Sequence, residues 1–384
     1  MRIILTCNFS PWSKYSGGGQ RSVHNIATSL AHIGYDVFVI YSKSPFEKIR
    51  ITDLVNYNIE WALIPTLISR RKAIFRNLSA YSFNKVVKKL ITEETILHSN
   101  GEESALFYRL RKKNKFVFIL TPRYPSYPVL PLETKERRLN LIHLLFKSKY
   151  QVLAHSIRDA DIIAPTSQYT ARLLKKKFSI REEKIEVIPN GIINEAFNAP
   201  KRDPKPGSIF FFGRLEKSKG IDVLLKAFAQ LPSDTTLIVS GFGDFIDGFN
   251  QLKRELKISN RLTYIPWMSP VEITEQLSQS SIVCLPSLEE SFGNAIAEAL
   301  ASGAPVISAR AGSIPELIRH KHNGVLIEPK HVDQLYEYRL YLLSNAQKAE
   351  HLGVEAKKWS LDYKWEKIAL LWVTLYEKAL NSQS

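Results

Sequence analysis

The feature that most constrains this chain is an alternation, met twice along its length, of short apolar runs with longer segments of helical period. RIILTC is followed by a helix predicted from about Arg21 to Ile33, then by DVFVIYS, and later by FVFIL and a Lys/Arg-rich amphipathic stretch. Apolar runs of about four to eight residues read as strands, and segments in which apolar positions recur every 3.6 residues read as helices. Strands separated by helices pair in parallel, so the expectation is a series of βαβ units. The pattern breaks at Ala199–Gly207, APKRDPKPG, where three prolines and a glycine interrupt any regular element. It then restarts. SIFFFG reads as a strand, Gly220–Gln230 as a helix, TLIVSG as a strand and Phe249–Lys257 as a helix, with three further alternations behind them. A helical stretch from about Asp333 to Leu380 carries Trp359, Tyr363, Trp365 and Trp372 as large apolar anchors. At 384 residues the chain also exceeds one ordinary α/β domain. Two α/β units of similar architecture are therefore expected, with no short repeat.

Composition narrows the class. A chain that is 45% hydrophobic and 23% charged has the balance of a globular protein with a large core, not of a disordered or fibrous one. Its two cysteines, Cys7 and Cys284, lie in apolar runs and are expected as buried free thiols, which suits a reducing compartment. No stretch approaches the roughly 18 apolar residues of a membrane span, and Asn8 and Pro11 interrupt MRIILTC before it could serve as a signal peptide. A cytoplasmic location is expected, peripheral on the inner face of the membrane if the charge described next binds lipid. Residues 1–190 hold 31 Lys and Arg against 15 Asp and Glu, and residues 191–384 hold 22 of each, so the first half carries all of the net +16. Arg70-Arg71-Lys72, Lys88-Lys89, Arg109 with Arg111-Lys112-Lys113, and Lys175-Lys176-Lys177 supply the excess. A polybasic face attracts anionic lipid, nucleic acid or a phosphorylated substrate, although any one cluster also reads as solvated surface.

In an open parallel sheet, ligands bind beyond the carboxyl ends of the strands, where the next helix presents unpaired N–H groups. The sharpest such place is Leu285–Ile307, LPSLEESFGNAIAEALASGAPVI. Glu290 lies in the loop, Gly293 at the helix start, and Asn294 and Glu298, four apart, share one helical face. A glycine there lets a ligand approach the backbone, the helix start suits a phosphate, and a carboxylate one turn in can accept bonds from vicinal hydroxyls. On spacing alone, Glu298 also reads as a solvated helix residue and Glu290 as a helix-dipole partner. Arg214, after a strand, and Lys219, before the helix at Gly220, are cations placed to offset charge on a leaving diphosphate.

These residues resemble the retaining glycosyltransferases of family 4, and the likeness runs over nearly the whole chain. Glu290 and Glu298 fall on that family's paired-glutamate motif, together with Pro286, Ser287, Phe292, Gly303 and Pro305; FFGRLEKSKGIDVLLKAF and GSIPELI resemble two neighbouring segments. The resemblance implies a GT-B fold, α/β with two facing Rossmann-like domains of parallel sheets and an active site in the cleft between them. It implies residues 1–200 as the acceptor-binding domain, residues 201–361 as the nucleotide-sugar domain, and a last helix, about 362–384, packed back on the first. Catalytic roles fall to Arg214, Lys219 and Glu290. Donor binding is shared by those three with Phe292, Gly293, Asn294 and Glu298, and with Gly17 and Gly18 of the loop KYSGGGQRS. The donor would be a UDP- or GDP-sugar, the product a hexosyl glycan or lipid-linked glycan of a cell-surface polysaccharide or glycolipid, and neither cofactor nor metal would be required. Asp159-Ala160-Asp161 spells a DxD motif of a different transferase fold and is discounted, because it abuts an apolar strand and supplies too few oxygen ligands for a hard cation.

His98 in TILHSNG stands where the family has a histidine facing the cleft, so it reads either as a sugar or acceptor contact or as a neutral core histidine. Arg123 in TPRYPSYP stands where many relatives have a second histidine. An arginine cannot act as a general base, so an anion contact, to acceptor or donor phosphate, is the expectation instead. Three other readings share parts of this pattern. A sugar-nucleotide epimerase shares the architecture. A nicotinamide-dependent oxidoreductase could use the glycine loop but lacks the ribose acid about 20 residues on. A nucleic-acid-binding protein would use the charge, yet the basic residues form no recognised module and no nucleic-acid partner is expected.

Overall fold

The structure is a computed structural model that describes residues 1–13, 16–52, 54–64, 73–111, 113–123 and 156–382. The Lys/Arg-rich stretch expected after FVFIL, the part of TPRYPSYP beyond Arg123, Arg70-Arg71-Lys72 and Lys112 lie outside the described residues. The chain divides into two compact units, Met1–Gly191 joined by Trp365–Ser384, and Ile192–Lys364.

The first unit runs β1 (Arg2–Cys7), α1 (Gly18–Ile33), β2 (Asp36–Lys43), β3 (Asn58–Leu63), α2 (Ala73–Leu90), β4 (Thr95–Ser99), α3 (Phe107–Arg111), β5 (Val117–Leu120), β6 (Ile162–Ile163) and α4 (Gln168–Phe178). Its strands form one six-stranded sheet in the order β3-β2-β1-β4-β5-β6, with every pairing parallel. Helices cover both faces, which is why the central strands β1, β4 and β5 are buried along nearly their whole length: Ile3, Ile4 and Leu5 are each fully buried. Ile3 and Leu5 face one core with Val23, Ile26 and Leu30 of α1, while Ile4 faces another with Phe83 and Val87 of α2. The helix α1 starts at Gly18, three residues before the predicted Arg21, because Gln20 folds back to accept from the Gly17 N–H at 3.1 Å.

The second unit runs α5 (Asn194–Phe197), β7 (Lys205–Phe212), α6 (Ile221–Ala229), β8 (Thr236–Ser240), α7 (Ile246–Glu255), β9 (Leu262–Ile265), α8 (Pro270–Gln279), β10 (Ser280–Leu285), α9 (Asn294–Ala301), β11 (Val306–Ala309), α10 (Ile314–Leu317), β12 (Val325–Ile327), α11 (Val332–Ser344) and α12 (Ala346–Ser360). Its sheet is also parallel and six-stranded, in the order β12-β11-β10-β7-β8-β9. The proline-rich stretch lies inside this unit: Arg202 donates to Leu277 O and Ser280 O at 2.9 and 2.7 Å, and Lys205–Gly207 already open β7. The predicted helical stretch Asp333–Leu380 resolves into α11, α12 and α13 (Trp365–Asn381), and α13 belongs to the first unit, where Trp365, Ile368, Trp372 and Tyr376 enter the core with α1.

Each sheet is doubly wound, with its strand order reversing once, between β1 and β4 in the first and between β7 and β10 in the second. Among the described residues, no helix is long and apolar enough to cross a membrane.

Candidate active site

Seven of the nine residues expected to bind the donor, Arg214, Lys219, Glu290, Phe292, Gly293, Asn294 and Glu298, lie in the loops and helix start at the switch point of the second sheet. Phe212 ends β7, and the chain turns through Gly213 and a short 3-10 turn, Lys217–Lys219, to Gly220, which opens α6 in the left-handed region at φ 67°. A Cβ on Gly220 would sit 2.1 Å from Pro286 O, so only glycine lets this turn lie on the end of β10. Leu288 N–H donates to Ser218 O at 2.7 Å and stitches the two loops together. A third loop, after β11, locks the second from behind: Ser313 donates through its N–H to Glu290 O at 3.1 Å and through its hydroxyl to Phe292 O at 3.0 Å. Gly312 makes that approach possible, since a Cβ there would meet Glu290 O at 2.5 Å.

Held in this way, the Glu290 carboxylate meets Lys219 Nζ at 2.6 Å, with side chains only 14% and 17% exposed. Residues 71 apart in sequence thus form one charge-paired centre. Arg214 is set differently. It is 59% exposed and pairs with Glu216 Oε1 at 2.5 Å, while the other Glu216 oxygen accepts from the Ser218 hydroxyl at 3.1 Å. Phe292 is buried beneath the loop, its ring 6.1 Å from that of Tyr363. Gly293, at φ 100°, precedes α9 without a side-chain cap; Asn294 is the first residue of that helix and Glu298, half-buried, lies one turn in. The first turn of α9 therefore offers N–H groups beside a cation and two carboxylates, a set able to hold phosphate oxygens and hydroxyls together.

The other predicted residues lie in the first unit. Gly17 is extended backbone at the start of α1 and Gly18 is its first residue. Arg123, just beyond β5, donates through Nε and Nη2 to Asn100 Oδ1 at 3.0 and 2.7 Å and through Nη1 to Asn190 Oδ1 at 2.7 Å. His98 is not a sugar contact in this structure. It is fully buried, with Nδ1 2.7 Å from Tyr376 Oη, Nε2 2.8 Å from Thr121 Oγ1 and its ring 4.4 Å from that of Trp372. Burial, and the Arg123 charge nearby, push its pKa down to about 3, so the ring is a neutral core group. Two of those partners arrive on α13, 278 residues away in the case of Tyr376, which no local pattern announces. Asp161 of the DxD is occupied as a fold contact: Arg111 donates to one oxygen at 2.7 Å and the Phe118 N–H to the other at 2.8 Å.

Sequence reasoning missed Glu103. It is 2% exposed at the switch point of the first sheet, where Ser99, Asn100, Thr6 and Asn8 all donate to its carboxylate. Its position just after a strand was the one available signal.

Residues 193–359 match the family model for glycosyl transferases group 1, and residues 16–195 match that for glycosyltransferase family 4. The chain belongs to glycosyltransferase family 4. The two doubly wound sheets of this chain are those of the GT-B fold. It is 28% identical over 230 residues to an uncharacterized glycosyltransferase of Methanocaldococcus jannaschii, covering 53% of this chain and 56% of that one. It spans about half the length of the curated relatives it matches. Sucrose-phosphate synthase from Thermosynechococcus elongatus superposes with a TM-score of 0.82 at 22% identity over the whole of both chains. HepE of Anabaena, solved with UDP and glucose, superposes with a TM-score of 0.76 at 19% identity, over 98% of this chain and 99% of that one. At these identities the structural likeness is one of fold.

Proposed function

We propose that this glycosyltransferase moves a hexosyl group from a UDP- or GDP-sugar to a glycan or lipid-linked acceptor with retention of anomeric configuration and without a metal. The observation that carries the reading is the Lys219–Glu290 pair at the switch point of the second sheet, beside the start of α9. In the step proposed, the bond from the anomeric carbon to the β-phosphate oxygen breaks, and the acceptor hydroxyl forms its bond on the same face. The hydroxyl proton passes to the leaving phosphate oxygen, so no enzyme nucleophile is needed. Lys219 and Arg214 offset the negative charge that grows on the diphosphate, a task a metal would otherwise perform. Glu290 and the Phe292-Gly293-Asn294 backbone hold the sugar, and Glu298 accepts from the ribose hydroxyls. Gly17 and Gly18 bring a second backbone toward the donor, and Arg123 contacts an anionic acceptor or a donor phosphate.

A thermal-shift panel of UDP-, GDP- and ADP-sugars, followed by product analysis with the best ligand, tests the donor. Lys219→Ala is expected to lower turnover by at least about a hundredfold at saturating donor, the scale of losing one preorganised group facing a developing anion. A near-wild-type rate would remove Lys219 from the clamp. The basic excess of residues 1–190 favours an acceptor that is anionic or embedded in an anionic membrane, in polysaccharide or glycolipid synthesis at the inner face. Co-sedimentation with vesicles at low salt is expected to favour anionic over neutral lipid, and equal binding to both would remove the membrane from the reading.

A further inference from the structure

The first sheet has its own polar centre, which the donor chemistry does not use. Glu103 Oε1 accepts from Ser99 Oγ at 3.0 Å and from the Asn100 N–H at 2.8 Å, with the Thr6 hydroxyl shared between that oxygen and Ser99. Glu103 Oε2 accepts from Asn8 Nδ2 at 3.2 Å. Asn8 and Asn100 are the residues that leave β1 and follow β4, the two strands flanking the switch point. Each carries the connection outward. Asn8 O accepts from Gln20 Nε2 at 2.9 Å, and Gln20 in turn fixes the Gly17 N–H. Asn100 anchors its own Nδ2 on Thr6 O at 3.1 Å and offers Oδ1 to both Nε and Nη2 of Arg123.

We propose that Glu103 is a positioning residue for transfer, whose carboxylate sets Asn8 and Asn100 and through them the Gly17-Gly18 loop and Arg123. The inference rests on the reading that the first unit presents these two features to the substrates. A carboxylate with no exposed edge is an expensive way to hold a core together, since burial pushes its pKa up and an apolar side chain would pack there at less cost. What the carboxylate alone supplies is a surface of acceptors: every group that meets it donates. An amide in its place would put N–H against N–H or O–H at one oxygen position or the other.

The test is Glu103→Gln, read by hydrogen exchange and by hydrolysis of UDP-glucose and GDP-mannose, in which water takes the glycosyl group and nucleoside diphosphate is released. Exchange is expected to rise about tenfold or more at residues 17–22 and 121–123, and to stay unchanged in α6 and α9. Turnover kcat is expected to fall about tenfold to a hundredfold, the scale of a small misplacement, with KM for the sugar nucleotide within about twofold. Unchanged exchange at both segments overturns the inference, as does exchange raised equally across all strands of the first sheet, which would make Glu103 a packing group only. If Glu103→Gln does not fold, Asn8→Ala and Asn100→Ala decide: a lowered kcat at constant KM in both supports the inference, and wild-type kcat in both overturns it. Failure of the wild-type protein to turn over these two and every other UDP- or GDP-sugar of the thermal-shift panel would remove the donor reading and this inference together. Turnover by wild type with an unaltered kcat in Glu103→Gln would remove the inference alone.

Discussion

Glu290 and Lys219 neutralise each other across 2.6 Å in a place where a diphosphate would also seek the lysine. The carboxylate should therefore compete with the free nucleotide. Glu290→Gln is expected to bind UDP or GDP about three- to thirtyfold more tightly by isothermal titration, while losing turnover with its sugar contact. Binding that is equal or weaker would show that the pair does not compete. His98 gives a pH signature. Its ring stays neutral in the folded chain down to about pH 3, whereas the unfolded chain protonates it below 6.5. Between those values the unfolded state binds more protons, so this residue's contribution to stability falls as pH is lowered. In urea unfolding, the stability advantage of wild type over His98→Asn should shrink from pH 7 to pH 4, and a constant advantage would contradict the neutral assignment. At this scale legibility depends on sequence distance. The placement of Glu290 in a loop and of Asn294 and Glu298 on one helix could be read, because one loop and one helical turn contain them. His98 could not, since Trp372 and Tyr376 reach it from the far end of the chain, and Glu103 is distinguished by its partners rather than by its neighbours.

At the scale of elements, three loops are pressed together at the second switch point by glycines that no other residue can replace without movement. Gly220→Ala combines a left-handed φ with a Cβ 2.1 Å from Pro286 O, and should destabilise by at least about 1–3 kcal/mol in urea unfolding, with donor affinity lost as Lys219 shifts. An alanine protein of wild-type stability would mean that the turn relaxes freely. The strands and most helices were legible, because apolar runs bounded by glycine and proline mark parallel strands covered on both faces. Helix boundaries were less so: Gln20 draws the start of α1 back to Gly18, and Asn345 and the turn Leu361–Tyr363 divide one long periodic stretch into three helices. Strand order was not legible from periodicity, which is the same on either side of a sheet. The structure supplies it.

At the scale of the molecule, the second unit is one unbroken stretch, Ile192–Lys364, with a core of its own. Expressed alone it is expected to unfold cooperatively and to retain nucleotide binding. Residues 1–191 alone are expected to fail that test, because without α13 the core of the first unit lacks Trp365, Trp372 and Tyr376 and leaves His98 uncovered. Cooperative unfolding of 1–191 with native-like near-UV dichroism would overturn this expectation. The charge asymmetry was plain in the sequence, but the surface it forms is described only in part, since Arg70-Arg71-Lys72 and Lys112 fall outside the described residues.

The return of α13 also sets an order of birth. A ribosome making this chain delivers the six strands of the first sheet early, then all of Ile192–Lys364, and only then the helix that seals the earlier core. At about 5–20 residues per second the wait is on the order of ten seconds or more. During it the pocket for Trp365 and Trp372 stands open, an exposed apolar cleft of the kind chaperones bind, while the later-made unit can already be finished.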